Sequence, residues 1–141
     1  VAKGARVEFP NNDPVFHNVF SDASGNSFDL GSYPQGESRT LTLTQVGQVD
    51  VLCNLHSFMR GYVFVAPNTH FVKVGSNGKF SLAKLPTGKH RIGVWTPNAE
   101  PVIKDVRIGA GEATAVDFEI TAGPPVRHAR KDGTPYGSYD E

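Results

Sequence analysis

Hydrophobic and polar residues alternate over short segments along most of the chain, which is the pattern of half-buried β-strands. Gly, Pro, Asn and Asp residues separate these segments and predict turns between them. We expect the segment 28–36 to be irregular, because Tyr33-Pro34 interrupts it, and 21–26 to be a polar loop. In the first half of the chain the pattern predicts strands over 4–9, 39–44, 48–53 and 61–65, and a strand or a loop over the core at 15–20.

The alternation continues in the second half of the chain. Asn77-Gly78 is the strongest short hairpin signal in the sequence, and it predicts a tight turn between strands at 70–74 and 80–85. Further strands are predicted at 89–95, 102–108 and 113–120. No segment has a convincing helical period. We therefore predict an all-β fold, with a Greek-key β-sandwich in residues 1–66, a small antiparallel β-sandwich module in 67–121 and an extended polar tail in 122–141.

The composition excludes several classes of protein. Lys and Arg together number 14, as do Asp and Glu, so the formal net charge is zero and no basic stripe points to nucleic acid. No apolar run is long enough to span a membrane, and we recognise no signal peptide. Because the chain begins at Val1 without Met, we expect a mature or partial product. A single cysteine cannot form an internal disulfide.

One short segment combines rare residue types. The only cysteine and the only methionine lie within seven residues of each other, with one of the five histidines between them: Cys53, His56 and Met59. A copper ion that alternates between Cu(I) and Cu(II) favours one thiolate, two imidazoles and a weak axial thioether. The loop between two predicted strands would supply three of these groups. His17, in an apolar aromatic segment, is the best candidate for the fourth ligand.

Each of these residues also has an ordinary interpretation. Cys53 alone would be a buried thiol at a strand end, Met59 would fill the core, and His17 would be a hydrogen-bonded histidine near a turn. A nucleophilic Cys53 with His56 as its base would leave Met59 without a role. Zinc is a weaker alternative, because a thioether is a poor zinc ligand. Three other histidines have no matching partners, and we predict surface or structural roles for them: His70, His90 and His128.

The segment Cys53-Asn-Leu-His56-Ser-Phe-Met59-Arg-Gly-Tyr-Val resembles the C-x2-H-x2-M ligand loop of the cupredoxins, as in amicyanin and plastocyanin. Upstream, Phe9-Pro-Asn11-Asn-Asp-Pro-Val-Phe-His17-Asn-Val resembles the segment that carries the first histidine ligand of that family. The resemblance implies a mononuclear type 1 copper site with His17, Cys53, His56 and Met59 as ligands. It also implies that Asn11, six residues before His17, hydrogen-bonds near the cysteine.

The layout of the chain resembles bacterial plastocyanin-like proteins, some of the methylamine-utilisation type. In these proteins a cupredoxin, here 1–66, continues into a carboxypeptidase-regulatory-like β segment, here 67–121. The stretches that match this second segment are Asn77-Gly-Lys-Phe80, Leu85-Pro-Thr-Gly88 and Ile92-Gly-Val-Trp95.

Two strands that usually precede the segment beginning at Val1 are absent from this sequence. We therefore expect another part of the protein, another chain or the second module to cover the exposed sheet edge.

The resemblance implies a carrier of single electrons, and not an enzyme, in the periplasm or another extracytoplasmic space. The implied partner is a redox protein such as a c-type cytochrome, or a respiratory or photosynthetic membrane complex. Apolar residues near His56 are predicted to form a docking patch for that partner, although they could instead cap the core and shield the metal from water. These residues are Val15, Phe16, Leu55 and Phe58.

A second interpretation belongs to a different class. The chain would be a structural or adaptor subunit of a larger membrane-associated electron-transfer complex, with copper optional. The missing strands, the appended β module and the polar tail favour this interpretation. The composition of residues 122–141 predicts disorder in isolation, so we expect the tail to be ordered only against its own domain or a partner chain, and we favour a partner chain.

Overall fold

The computed structural model describes residues 1–125 and 127–137, and these residues form two compact units. The first unit contains Val1–Thr69 together with the described tail residues 127–137, and the second contains residues 70–125. The described residues form β-strands, turns and extended segments without any helix, so the predicted all-β class is confirmed. It follows that no helix in this part of the chain could cross a membrane.

The described strands other than β3 lie close to segments that the alternation predicted. Among the described residues, the first unit has six strands: β1 (Arg6–Pro10), β2 (His17–Ser21), β3 (Phe28–Tyr33), β4 (Ser38–Thr42), β5 (Gly47–Cys53) and β6 (Arg60–Val65). The second unit has two, β7 (Gly88–Val94) and β8 (Val102–Ile108).

Two antiparallel sheets build the first unit. β1 pairs with β4, and the second sheet has the strand order β3-β2-β5-β6. The core between the sheets is centred on three buried residues, Leu43, Val49 and Val65. Side chains from both sheets pack against it, among them Val7 of β1 and Val63 of β6. Burial of these apolar faces against one another makes the unit a β-sandwich.

The prediction for residues 28–36 was wrong, because Phe28–Tyr33 forms a strand that pairs with β2. The register places two residues of β3, Leu30 and Gly31, opposite the single residue Val19 of β2. Gly31 has φ of 68°, a left-handed conformation that glycine adopts without a steric cost, so this β-bulge accommodates the irregular pattern inside a strand. Pro34 does not prevent the strand but follows its last residue.

In the second unit, β7 and β8 pair in continuous register from Gly88 opposite Ile108 to Val94 opposite Val102. The Asn77-Gly78 turn also forms, with the Gly75 N–H donating to the Lys79 carbonyl at 2.9 Å. The predicted strands at 70–74 and 80–85 do not form around it. In 70–74 the apolar side chains Phe71, Val72 and Val74 are exposed, so no buried face holds this segment in a sheet.

Residues 113–120 also form no strand, contrary to the prediction. The predicted alternation is nevertheless present, because Val116, Phe118 and Ile120 are half-buried and the residues between them are exposed. The Phe118 ring packs against the Phe80 ring, with centroids 6.1 Å apart. The segment is therefore held by side-chain packing and not by a ladder of backbone hydrogen bonds that defines a strand.

The described part of the tail lies against the first unit of its own chain. His128 contacts the ring of Phe20 in β2, with centroids 6.5 Å apart, and the Lys131 ammonium pairs with the Asp29 carboxylate in β3. Residues 127–137 are thus held against their own domain, which is one of the two arrangements expected for the tail. The predicted boundaries after residues 66 and 121, and the docking of the tail on a partner chain, stay predictions.

Candidate metal centre

The loop that carries Cys53, His56 and Met59 folds back on itself between β5 and β6. Cys53 is the last residue of β5, and Met59 immediately precedes β6. The Cys53 N–H donates to the Met59 carbonyl at 3.3 Å, and the Met59 N–H donates to the His56 carbonyl at 3.2 Å. These two bonds close the loop, so all three side chains stay at the same end of the sheet.

His17 reaches this end of the sheet from the neighbouring strand. It is the first residue of β2, which pairs with β5 so that Val19 stands opposite Cys53. The His17 side chain is buried, and its Nδ1 lies 3.8 Å from the Cys53 Sγ. Residues 36 apart in sequence are thereby brought into contact by antiparallel pairing.

The orientation of the His17 ring is set by Asp13. The Nε2 of His17 lies 2.9 Å from the Asp13 carboxylate, and the only group on that nitrogen able to meet a carboxylate is its N–H. In the neutral imidazole, the Nδ1 that faces Cys53 is then unprotonated and free to donate its lone pair. A carboxylate bonded to the far nitrogen of a metal-binding histidine has this effect in many metal sites.

His56 approaches the same sulfur from the loop. Its Nδ1 lies 3.4 Å from the Cys53 Sγ, and its ring meets the His17 ring edge-on with centroids 5.1 Å apart. The ligand atoms of His17, Cys53 and His56 all lie within 4.8 Å of one another. Metal–nitrogen and metal–thiolate bonds of about 2.0 and 2.3 Å in a trigonal plane would separate nitrogen and sulfur by about 3.7 Å. The observed spacing therefore fits three ligands around one ion.

Met59 belongs to the same neighbourhood. Together with His17 and Cys53 it lines a cavity whose other walls come from residues of β2, β5 and β6 and from Phe58. Met59 therefore lines the same cavity as two residues of the His-Cys-His cluster. Its role as a ligand stays a prediction.

Asn11 is almost fully buried and holds the turn that precedes His17. Its side-chain amide donates to the Val15 carbonyl at 2.8 Å and to the Tyr33 carbonyl at 3.1 Å, and its Oδ1 accepts the Asp13 N–H at 2.9 Å. Asn11 therefore positions Asp13, which in turn orients the His17 ring. The hydrogen bond near the cysteine that the family resemblance implies stays a prediction.

The apolar residues predicted around His56 are exposed. Phe58 retains 77% of its surface and Phe16 55%, and the Phe58 ring lies 5.9 Å from the His56 ring. Val15 and Leu55 are exposed as well. His56 itself is only partly buried, whereas His17 and Cys53 are buried. Of the three clustered residues, His56 is thus the one that reaches the protein surface.

Two residues beside the site were missed by the sequence analysis. The Tyr136 hydroxyl donates a hydrogen bond to the Cys53 carbonyl, and the Nδ1 of His128 lies 3.2 Å from the Tyr136 oxygen. Both residues come from the polar tail, and His128 was expected to have a surface or structural role. Their sequence spacing contains no periodic signal, so only the fold of the tail reveals the contact.

The tail contact also shifts the acidity of a carboxyl group. Mainly through its hydrogen bond, the Lys131 ammonium lowers the pKa of Asp29 below the ordinary value of 3.8, and the Asn18 side-chain amide adds to the effect. Burial opposes this shift. Asp29 is thus ionised under ordinary conditions, and its charge holds the tail against β3.

No family model matches the chain, and a comparison with curated proteins finds no match either. A comparison with solved structures finds a novel purple cupredoxin from Nitrosopumilus maritimus, with 26% sequence identity and a TM-score of 0.42. The match covers 47% of this chain and 74% of that one. The likeness is partial, so the site is interpreted below from its own geometry. The similarity of residues 67–121 to a carboxypeptidase-regulatory-like segment stays a prediction.

Proposed function

We propose that the chain binds one copper ion through His17, Cys53 and His56, with Met59 as a weak fourth ligand, and carries single electrons between redox proteins. The observation that supports this most strongly is the convergence of two imidazole Nδ1 atoms on one buried sulfur, at 3.4 and 3.8 Å. A thiolate with two imidazoles and a nearby thioether is the donor set of blue-copper sites. Copper bound there would supply a one-electron couple.

The donor set favours this function over a cysteine nucleophile. A nucleophilic thiol needs one base within hydrogen-bond reach and a group that orients the base. Cys53, His17 and Asp13 alone would meet this requirement. A nucleophile would, however, leave two further groups without a role: the His56 Nδ1, which lies 3.4 Å from the same sulfur, and Met59, which lines the same cavity. A metal site uses both.

The strands around the site support electron transfer. His17 and Cys53 lie on paired strands of one sheet, and the loop hydrogen bonds fix His56 and Met59 relative to them. Ligands held in this way move little when the charge of the site changes, which lowers the barrier to electron transfer. We propose no bound substrate and therefore no enzymatic reaction.

The exposed apolar residues around His56 support a route for electrons to and from the site. An exposed apolar surface suits the small, short-lived contacts that redox proteins make. We propose that a partner such as a c-type cytochrome, or a respiratory or photosynthetic membrane complex, docks here in the periplasm or another extracytoplasmic space. The patch consists of Val15, Phe16, Leu55 and Phe58.

Protein-film voltammetry of the copper-loaded full chain tests whether it carries electrons. We expect one reversible wave with the slope of a single electron, and no such wave for Cys53→Ser treated with copper in the same way. A native protein that binds copper tightly but gives no reversible wave would contradict the carrier function. A folded native chain that binds no copper would instead favour the adaptor subunit.

A further inference from the structure

The tail contacts the backbone, and not the thiol, of Cys53, one of the proposed copper ligands. Tyr136 reaches the carbonyl of Cys53, although the two residues are 83 positions apart in sequence. The peptide group that joins Cys53 to Asn54 is consequently held at both ends, because its N–H donates to the Asn18 carbonyl at 2.9 Å. Two segments that are distant in sequence, β2 and the tail, thus fix the plane of one peptide beside the thiol.

The direction of each hydrogen bond in this contact is determined by its acceptors. The Nδ1 of His128 lies 3.1 Å from the Ala129 carbonyl, which can only accept, so that Nδ1 carries the proton. It donates also to the Tyr136 oxygen at 3.2 Å, and the single hydroxyl proton of Tyr136 goes to the Cys53 carbonyl. The bonds therefore run in one direction, from His128 through Tyr136 to Cys53, and strengthen one another.

Further contacts hold Tyr136 in place. The Lys131 N–H donates to the Asn54 Oδ1 at 2.9 Å, and the Lys131 ammonium pairs with Asp29. The Arg130 guanidinium lies over the Tyr136 ring, 5.2 Å from its centroid. The Arg130 N–H donates to the Thr134 carbonyl at 3.0 Å and closes a turn between these two residues. The contacts of Lys131 and Arg130 thus hold the Tyr136 ring beside the Cys53 carbonyl.

We propose that Tyr136 is a positioning residue for the copper site, and that His128 and the tail hold it in that role. The inference rests on the proposed function. By fixing the Cys53–Asn54 peptide, Tyr136 fixes the direction in which the Cys53 side chain leaves the backbone. Its hydroxyl proton also offsets the negative end of the Cys53 carbonyl dipole near the thiolate, which disfavours the more positive Cu(II) state and raises the reduction potential.

The first arm of the test uses the metal-free full chain, so it does not depend on copper binding. Tyr136→Phe removes the hydroxyl and retains the ring. We expect the Asn54 amide to exchange its hydrogen about fivefold faster, the factor that corresponds to one lost hydrogen bond. The control is Thr134→Val, which removes a hydroxyl that bonds Asp132 within the same tail segment. An Asn54 amide that exchanges equally fast in native, variant and control would overturn the proposal.

The second arm measures the reduction potential of the copper-loaded proteins. We expect Tyr136→Phe to have a lower potential than the native chain, with its thiolate-to-copper absorption band shifted, and His128→Phe to shift both in the same direction by less. Thr134→Val should match the native protein in both. If Tyr136→Phe accelerates amide exchange but retains the native potential and band, Tyr136 merely stabilises the loop and the proposal is wrong. If no chain binds copper, the proposed function fails while the first arm still decides whether Tyr136 positions the peptide.

Discussion

Asp13 determines which nitrogen of His17 can bind a metal. Its carboxylate accepts the Nε2–H of His17 at 2.9 Å, and Asn11 holds Asp13 in the turn through the Asp13 N–H. A neutral acceptor at this position would still orient the ring. It would not place a negative charge beside the imidazole, and that charge favours a bound metal cation.

Asp13→Asn should therefore weaken copper binding while the fold persists. We expect the dissociation constant to increase by about tenfold, the lower end of the effect of such partners on metal affinity. A competition titration with a chelator of known affinity measures it. Glu8→Gln is the control, because it removes the same charge from a carboxylate that bonds Ser38 on the other sheet. Equal affinities in the two variants would show that only overall charge matters.

The residue types of the site are predictable from sequence, whereas their supporting partners are not. Cys53, His56 and Met59 are conspicuous because rare types occur together within seven residues. Asp13 is an ordinary turn residue in the sequence, and its contact with His17 depends on the turn that Asn11 holds. Tyr136 contacts the site only because the tail folds back over 83 positions, a distance at which local pattern contains no information.

At the scale of elements, β3 shows how a strand tolerates an irregular pattern. Its bulge places Leu30 and Gly31 opposite Val19, and Gly31 adopts a left-handed conformation. β3 was not predicted, because the bulge shifts the alternation by one residue and Pro34 follows the strand directly. Strands without such a shift were predicted within about two residues of their ends, since alternation and flanking turn residues define them.

Gly31→Ala should destabilise the first unit. A Cβ at Gly31 would meet no atom within 4 Å, so the cost is backbone strain alone, about 1 kcal/mol of unfolding free energy. Gly61→Ala in β6 is the control, since its Cβ would make only an ordinary contact at 3.8 Å with Val51 and its φ is not left-handed. Urea unfolding of both variants measures the difference. Equal loss in both would argue against strain at the bulge.

The attachment of the tail to β3 should depend on pH. Because Lys131 lowers the pKa of Asp29 in the folded state, the ionised carboxylate stabilises the attached tail above the ordinary value of 3.8. This contribution is lost as the pH falls through the lower folded pKa. We expect the NMR signals of the Lys131 and Asn54 amides to shift together in that range as the tail detaches.

Asp29→Asn separates this effect from other carboxyl groups, because the pKa of Asp132 is also lowered, chiefly by the Thr134 hydroxyl. In this variant the Asn54 amide signal should no longer shift at low pH, whereas NMR signals near Asp132 should still shift as that carboxyl group titrates. An Asn54 response that is unchanged in Asp29→Asn would contradict the role of the Lys131–Asp29 pair.

At the scale of the whole molecule, the first unit presents its apolar surface at the same end as the His-Cys-His cluster. β5 runs seven residues from Gly47 to Cys53, which is roughly 20 Å at the usual rise of a strand. Leu55 and Phe58 are exposed beyond its Cys53 end, and Val46, with 49% of its surface exposed, precedes the opposite end. Val46 is thus an exposed apolar residue of the first unit that lies far from the candidate metal centre.

Leu55→Asp and Phe58→Asp should slow electron transfer from the copper-loaded protein to a c-type cytochrome by about an order of magnitude, because a charge would enter the docking patch. Val46→Asp adds the same charge at the far end of β5 and should leave the rate unchanged. Stopped-flow absorbance at low and moderate ionic strength measures the rates. Equal slowing by all three variants would point to net charge and against a docking patch around His56.

The most direct test of the account is visible absorption and electron paramagnetic resonance of the purified chain after addition of one equivalent of Cu(II), beside Cys53→Ser. If His17, Cys53 and His56 bind copper together, the native protein will show an intense thiolate-to-copper band and a narrow copper hyperfine splitting, and the variant will show neither. A native protein that takes up no copper, or that gives the same spectra as Cys53→Ser, would contradict a type 1 copper site at this cluster.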